Sequence, residues 1–309
     1  MAEENKIQEL EKISQREIDT IIFESLGPNT TDEIDKKRDE LIKRYLKQAI
    51  DESEISSKYN MLILYDKGQM VRSDADNIYS SITTFDNDKP LLLILYSKGG
   101  DAGSAYLIGK LCREYSNRSL ITVVPRHAKS AATLICCASD EIHMGSLSEL
   151  GPIDPQIDHF PALGLKSSVE HIADLVKQYP ASAEMFAKYL HLSLNPIHLG
   201  YYERVAQSAM QYAERLLKTH EENLPKKAEQ IANDLVYTYK DHGFVIDAAE
   251  AQQIFGDKTV KKNSAEYELG NTIYQNLEFI HGMANSMGYI FYFIGSCDSK
   301  PYFIKKANR

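Results

Sequence analysis

The sequence predicts an α/β layered core, and three observations carry that reading. Short continuous apolar runs stand at MLILY (61–65), PLLLILY (90–96) and SLITVV (119–124). Each is followed by a segment of helical spacing, and apolar runs set between helices are the pattern of parallel strands covered on both faces. A chain of 309 residues, 43% of them apolar, is also long enough to bury a sizeable core.

Taken in order, residues 1–58 form a charged helical arm with 15 acidic and 10 basic side chains, so it alone carries -5 of the formal net charge of -9. Within it Ile34, Leu41, Ile42, Tyr45, Leu46 and Ala49 recur at helical spacing after a Thr31 or Asp32 cap, which predicts an amphipathic helix lying on something else. Residues 59–164 are the α/β core. Segments around Ala75–Thr84 and Gly103–Tyr115 supply its crossovers, and a helix from Ser130 to Ala138 precedes a short fourth strand, Glu141–Met144. Residues 165–309 read as a mainly helical part that completes the site and makes subunit contacts. Its helices are expected at Val169–Tyr179, Ala183–Leu192, Tyr201–Lys218 and Pro225–Tyr237, followed by an Asp247-capped helix to Phe255 and a hairpin around Gly295–Lys300.

Composition excludes several functions. The acidic balance lacks the basic footprint that phosphate-backbone binding requires, so no nucleic-acid partner is expected. Four cysteines without CxxC spacing suggest neither a disulfide framework nor a zinc site, and a reducing compartment fits them. No apolar run approaches the ~18 residues of a spanning helix, and the acidic N-terminus carries no signal-like apolar region. We therefore expect a cytoplasmic protein without a membrane span.

Two strand-to-helix junctions could carry chemistry, because ligands collect at the carboxyl ends of strands in open parallel sheets. In LYSKGGDAGSAYLIGK, Gly99, Gly100 and Gly103 let the chain turn sharply and present backbone N–H groups at a helix start, as an oxyanion requires. A simple tight turn and a phosphate loop are the competing readings, and for the second GxxxxGK[ST] is absent. In VVPRHAKSAATLICCASDEIHMG, Ser130 opens an apolar helix among Ala128, Ala131 and Ala132 and is read as a nucleophile or as a simple N-cap.

Together these junctions resemble the Clp protease and signal peptide peptidase A clan of serine peptidases, and within it the serine dehydrogenase proteinase family. YSKGGDAGSA matches the strand and Gly-Gly turn, HAKSAATL the nucleophile motif, and SDEIHMGSLSELGPIDPQI the strand and loop that follow. The resemblance covers about Met61 to Ile157 and implies a Clp/crotonase-like spiral of βα units. It implies that Ser130 attacks a peptide carbonyl through an acyl intermediate, while the N–H groups of Gly99 or Gly100 and of Ala131 receive the oxyanion.

The same resemblance bears on the base. The Clp-type histidine would fall near Pro152–Gln156, where this chain reads GPIDPQ and offers Asp154. Signal peptide peptidase relatives use a lysine instead, and Lys166 occupies the matching place at an expected helix start, where the helix dipole favours the neutral amine. Lys129, His159 and His127 are the other candidates. Asp154 and His159 are read as possible support for the site, and His242 as a structural turn residue. No metal and no cofactor are expected: HExxH and clustered Cys/His ligands are absent, and no GxGxxG follows a strand. Peptide or protein is the expected substrate and a homo-oligomer the expected assembly. The rival readings are a crotonase-type acyl-CoA hydratase or isomerase, which shares a pair of N–H donors but needs no nucleophilic serine, and an inactive Clp-fold scaffold.

Overall fold

The structure, a computed structural model, describes residues 12–307 apart from 87, 118, 158, 159 and 195. Helices α1 (Gln15–Leu26) and α2 (Asp32–Asp51) precede the alternating part: β1 (Asn60–Tyr65), α3 (Arg72–Ile82), β2 (Leu91–Tyr96), α4 (Ala102–Tyr115), β3 (Leu120–Val124), β4 (His127–Ala128), α5 (Ala131–Cys136) and β5 (Glu141–Met144). Short strands β6 (Glu149–Leu150), β7 (Gln156–Ile157) and β8 (Phe160–Pro161) lead into α6 (Ala162–Gln178), α7 (Ala183–Ser193), α8 (Pro196–Leu217) and α9 (Ala228–Asn233). The chain ends with β9 (Ile246–Asp247), α10 (Ala248–Phe255), β10 (Val260–Lys262), α11 (Ala265–Ser286), β11 (Tyr289–Gly295) and β12 (Tyr302–Lys305).

Seven strands form the central sheet in the order β10-β5-β3-β2-β1-β11-β12. The five strands from β10 to β1 are parallel, and the terminal hairpin continues the sheet antiparallel along β1. The three continuous apolar runs are thus its central strands, as their patterning predicts. Strand alternation divides their side chains between two layers. Leu91, Leu93 and Leu95 face the α3, α4, α5 and α8 layer, while Leu92, Ile94 and Tyr96 face α1, α2 and α11. The apolar stripe of the charged N-terminal helices lies on that second layer, with Ile18, Ile22, Ile42 and Leu46 fully buried.

Local caps follow the sequence logic. Thr31 accepts from the Ile34 N–H, and Asp247 accepts from the N–H groups of Ala249 and Glu250. The third strand from the C-terminus, β10, is not visible in the sequence, because VKK is too short and polar to signal a strand; it forms by pairing with β5. Helix α6 also starts earlier than the spacing predicts, at Ala162 rather than Val169. Lys166 therefore lies beyond the first helical turn, outside the reach in which a helix terminus acts strongly on charge.

Candidate active site

The two junctions meet at the carboxyl end of the sheet. Ser97, just past β2, forms a parallel bridge to Ala128, with Ser97 N–H donating to His127 O at 3.2 Å and Lys129 N–H to Ser97 O at 3.1 Å. This pairing lays the Gly-Gly turn against the Ser130 turn. Gly99 has φ +100°, and a Cβ there would stand 2.7 Å from Lys129 O, 3.0 Å from Ala131 N and 3.0 Å from Ser130 Cβ. Gly100, at φ +152°, is pressed as closely against Met70. Only glycine combines such φ values with such an approach.

Ser130 has φ 50° and ψ −116°, a conformation that side chains rarely adopt. It precedes α5 but makes no capping bond, so its hydroxyl is not spent on the helix. The simple N-cap reading of this serine therefore does not hold. Thr133 supplies the local bonding instead, donating to Ala128 O at 2.6 Å and accepting from the Gly151 N–H at 3.0 Å.

Ser130 lines a cleft of about 640 Å³ together with Gly99, Gly100, Ala131, Lys67, Lys98 and His242; Ile153, Val205 and Ala209 form its apolar wall. Of the expected oxyanion donors, Gly99 N–H is already committed to Ser97 Oγ at 3.0 Å. Among the described residues the N–H groups of Gly100 and Ala131 have no hydrogen-bond partner. Ser97 Oγ in turn donates to Asp66 Oδ2 at 3.1 Å, while Asp66 Oδ1 accepts from the Gly68 N–H at 2.7 Å. Burial pushes the Asp66 carboxyl above the usual carboxylate range, against these bonds. Asp66 and Ser97 brace the Gly-Gly turn and escape sequence reasoning; the only signal for them is their position just after strands.

The candidate bases fall in different places. Lys166 is not among the residues lining the cleft; its amine is 3.4 Å from Glu203 Oε2, and its side chain is 46% exposed. Lys129 points away from Ser130, its amine held by Leu150 O at 3.2 Å, Phe244 O at 3.0 Å and Glu149 Oε2 at 3.0 Å. His127 packs on the Tyr96 ring at 4.3 Å, and burial lowers its pKa to about 4. His159 lies outside the described residues. Asp154, between the cleft-lining Ile153 and Pro155, is buried; it accepts from Gln156 Nε2 at 3.1 Å, and its Oδ2 lies 3.7 Å from His242 Nδ1. His242, expected as a structural turn residue, thus stands on the cleft. Its 88-residue separation from Asp154 (242 − 154) hides the pair from any local motif.

Among the described residues no group of three or more His, Cys, Asp and Glu side chains could hold a metal ion, and no helix is long and apolar enough to cross a membrane.

Residues 64–179 match the family model described as ClpP-like SDH-type serine proteinase. That stretch contains Gly99, Gly100, Ser130, Asp154 and Lys166, whereas His242 lies beyond it. An uncharacterized protein of Methanocaldococcus jannaschii is 35% identical over 97 residues, 31% of this chain and 34% of that protein. The chain spans about a third of the length of the curated relatives it matches. Among solved structures, a membrane-bound stomatin-specific protease in complex with a substrate peptide is 15% identical, with a TM-score of 0.43 over 82% of this chain and 90% of that one. The corresponding values for ClpP1 of Listeria monocytogenes are 14%, 0.41, 72% and 98%. The matched stretch holds the Gly-Gly and Ser130 turns, on the parallel α/β sheet expected from the apolar runs.

Proposed function

We propose that the chain is a serine peptidase that cleaves peptide or protein substrates through an acyl-Ser130 intermediate. The observation that carries this reading is an uncapped, strained Ser130 that shares a cleft with Gly100 and Ala131, whose N–H groups have no partner among the described residues. In this mechanism Ser130 Oγ bonds to the carbonyl carbon, and the carbonyl oxygen takes up negative charge facing those two donors. Preorganised N–H groups aimed at developing charge supply the largest single contribution in acyl transfer. Gly99 acts by holding the turn, its own N–H being spent on Ser97.

Lys166 is the base that the resemblance implies. For it to act, Glu203 must release the amine and α6 must carry it to Ser130. The assembly proposed with this activity is a homo-oligomer formed through α7 and α8. Met185, Tyr189, Leu192, Ile197 and Tyr201 are all more than half exposed there, an apolar surface that a monomer rarely leaves open.

A fluorophosphonate probe tests the activity. It should label the wild-type chain at Ser130, located by mass spectrometry of the labelled peptide, and Ser130→Ala should take up none. Absence of labelling would favour the hydratase or scaffold reading, since neither requires a nucleophilic serine. Light scattering at micromolar concentration tests the assembly, and a monomer would contradict it.

A further inference from the structure

A second cavity, of about 340 Å³, lies between α3 and the terminal hairpin. The loop that follows β1 contributes to both spaces: Asp66 and Val71 line this cavity, Lys67 and Gly68 line the Ser130 cleft, and Gln69 lines both. The cavity joins two carboxylates, Asp66 and Asp74, to an apolar rim where Val71 is 48% and Ile304 54% exposed. Asp66 and Asp74 are both buried, yet among the described residues no Lys, Arg or His forms an ion pair with either. Asp74 Oδ2 accepts from the Val71 N–H at 2.7 Å, while its Oδ1 has no hydrogen-bond partner among the described residues. Buried charge is ordinarily paired. Here burial, with the Asp66 charge added to it, lifts the Asp74 carboxyl to about 6.

Both carboxylates are wired to the Gly-Gly turn. Asp66 Oδ2 accepts from Ser97 Oγ at 3.1 Å, and Ser97 Oγ accepts from the Gly99 N–H at 3.0 Å. Asp74 holds the Val71 N–H, and the residue before it, Met70, is bonded to the turn twice: Met70 N–H donates to Gly99 O, and Asp101 N–H donates to Met70 O, each at 2.9 Å. A charge arriving at the two carboxylates therefore acts on the backbone that presents the Gly100 N–H to the cleft.

We infer that the cavity between α3 and the β11–β12 hairpin is a binding site for a small organic cation, an ammonium or guanidinium on an apolar body, whose occupancy firms the Gly-Gly turn. The cation would donate to Asp74 Oδ1 and balance both carboxylates, while its apolar body covers Val71 and Ile304. Tyr292 and Tyr302 line the same space, and aromatic faces attract cations. The volume falls in the range of small-molecule sites, about 300–1,000 Å³. Holding Asp66 ionised strengthens the bond it accepts from Ser97, because hydrogen bonds to a charged acceptor are the stronger ones. Bonds in a chain polarise one another, so the Gly99 N–H to Ser97 bond tightens with it.

Calorimetry on the full chain with phenethylamine, and with neutral 2-phenylethanol as its counterpart, tests the site. The amine should bind and the alcohol should bind at least about tenfold more weakly, a single charged hydrogen bond being worth about 1.5–3 kcal/mol. Asp74→Asn keeps an acceptor for the Val71 N–H and should lose the same factor. Ile304→Ser, at an exposed position that folding does not depend on, should weaken the amine several-fold. Asp101→Asn, on the Ser130 cleft, should bind the amine as the wild type does. Hydrogen exchange of the Gly99 amide should slow about fivefold or more when the amine is bound, the usual size of coupling between sites. Neither readout requires a reactive Ser130, so failure of the peptidase reading leaves both intact. A wild-type chain that binds no amine at millimolar concentration, equal binding of the alcohol, or wild-type affinity in Asp74→Asn or Ile304→Ser overturns the site. Binding of the peptide acetyl-Leu-Lys-Leu-amide in place of the free amine overturns the small-molecule occupant. Amine binding that leaves exchange at Gly99 unchanged overturns the link to the turn.

Discussion

Replacing Gly99 by Ala puts a methyl group where the Ser130 turn already stands. The added Cβ would meet Lys129 O at 2.7 Å, Ala131 N at 3.0 Å and Ser130 Cβ at 3.0 Å. Two of these neighbours are backbone atoms and the third is fixed to it, so no flexible side chain can give way. A non-glycine residue at φ +100° adds about 1–2 kcal/mol of backbone strain. Overpacking adds about 1–3 kcal/mol, so the expected loss is about 2–5 kcal/mol. An unfolding entropy of about 2.1 cal/mol/K per residue over 309 residues gives about 0.65 kcal/mol/K if the chain unfolds as one unit. The thermal midpoint should then fall by about 3–8 °C. Because the contact pushes the Ser130 turn away from the Gly100 N–H, probe labelling should fall by about 10²–10³-fold, the effect of losing one oxyanion donor. Calorimetry and labelling kinetics on the same sample read both effects. The comparison variant is Gly282→Ala, in an exposed part of α11 with nothing within 4 Å of the new methyl. It should gain about 0.4–1 kcal/mol and label normally. A Gly99→Ala chain with unchanged midpoint and unchanged labelling would refute the close-packed turn on which the oxyanion argument stands.

Three further outcomes follow from the same geometry. Ser130→Gly removes a strained φ of 50° as well as the hydroxyl; strain of about 1–3 kcal/mol is relieved against about 0.4–1 kcal/mol of added unfolded-chain freedom. The variant should be inert to the probe yet melt above Ser130→Ala, and a lower midpoint would show that the backbone there is unstrained. His127 is held neutral by burial, with its pKa lowered from 6.5 to about 4. Between those values the unfolded chain binds a proton that the folded chain does not, so this residue makes stability fall as pH drops from about 6.5 to 4. His127→Phe should flatten the urea midpoint across that window, and an unchanged slope would contradict the assignment. Finally, labelling and turnover should survive EDTA, because the proposed chemistry uses only side-chain and backbone groups of the chain and no metal ion; loss restored by zinc would overturn it.

Much of the fold is legible because its signals are local. The runs 61–65, 90–96 and 119–124 are apolar at nearly every position the sheet covers, Thr122 being the polar one, so they read as buried strands whatever surrounds them. Gly99, Gly100 and Ser130 are legible as a candidate site because strand ends in a parallel sheet converge by topology, and the bridge from Ser97 to Ala128 realises that convergence. Strands β10 and β11 are another matter. VKK carries no pattern, and the terminal hairpin reads as self-contained until β11 pairs with β1 from Ile63 to Tyr65.

The candidate bases show where local reasoning stops. The position of Lys166 along the chain suggested a helix start facing the site, but α6 begins at Ala162 and the amine meets Glu203 instead. His242 carried no motif and gained its place only when the turn after α9 folded back beside Asp154 and was tied to Lys129. The sequence by itself determined the parallel core, the two turns at its carboxyl end and the nucleophile candidate, because each depends on hydrophobic periodicity or glycine freedom within a few residues. Tertiary structure alone decided which N–H groups stay unspent and which titratable side chains share the cleft with Ser130. Those depend on hydrogen bonds and contacts between segments as far apart as residues 66, 97, 154 and 242, and no local pattern encodes such distances.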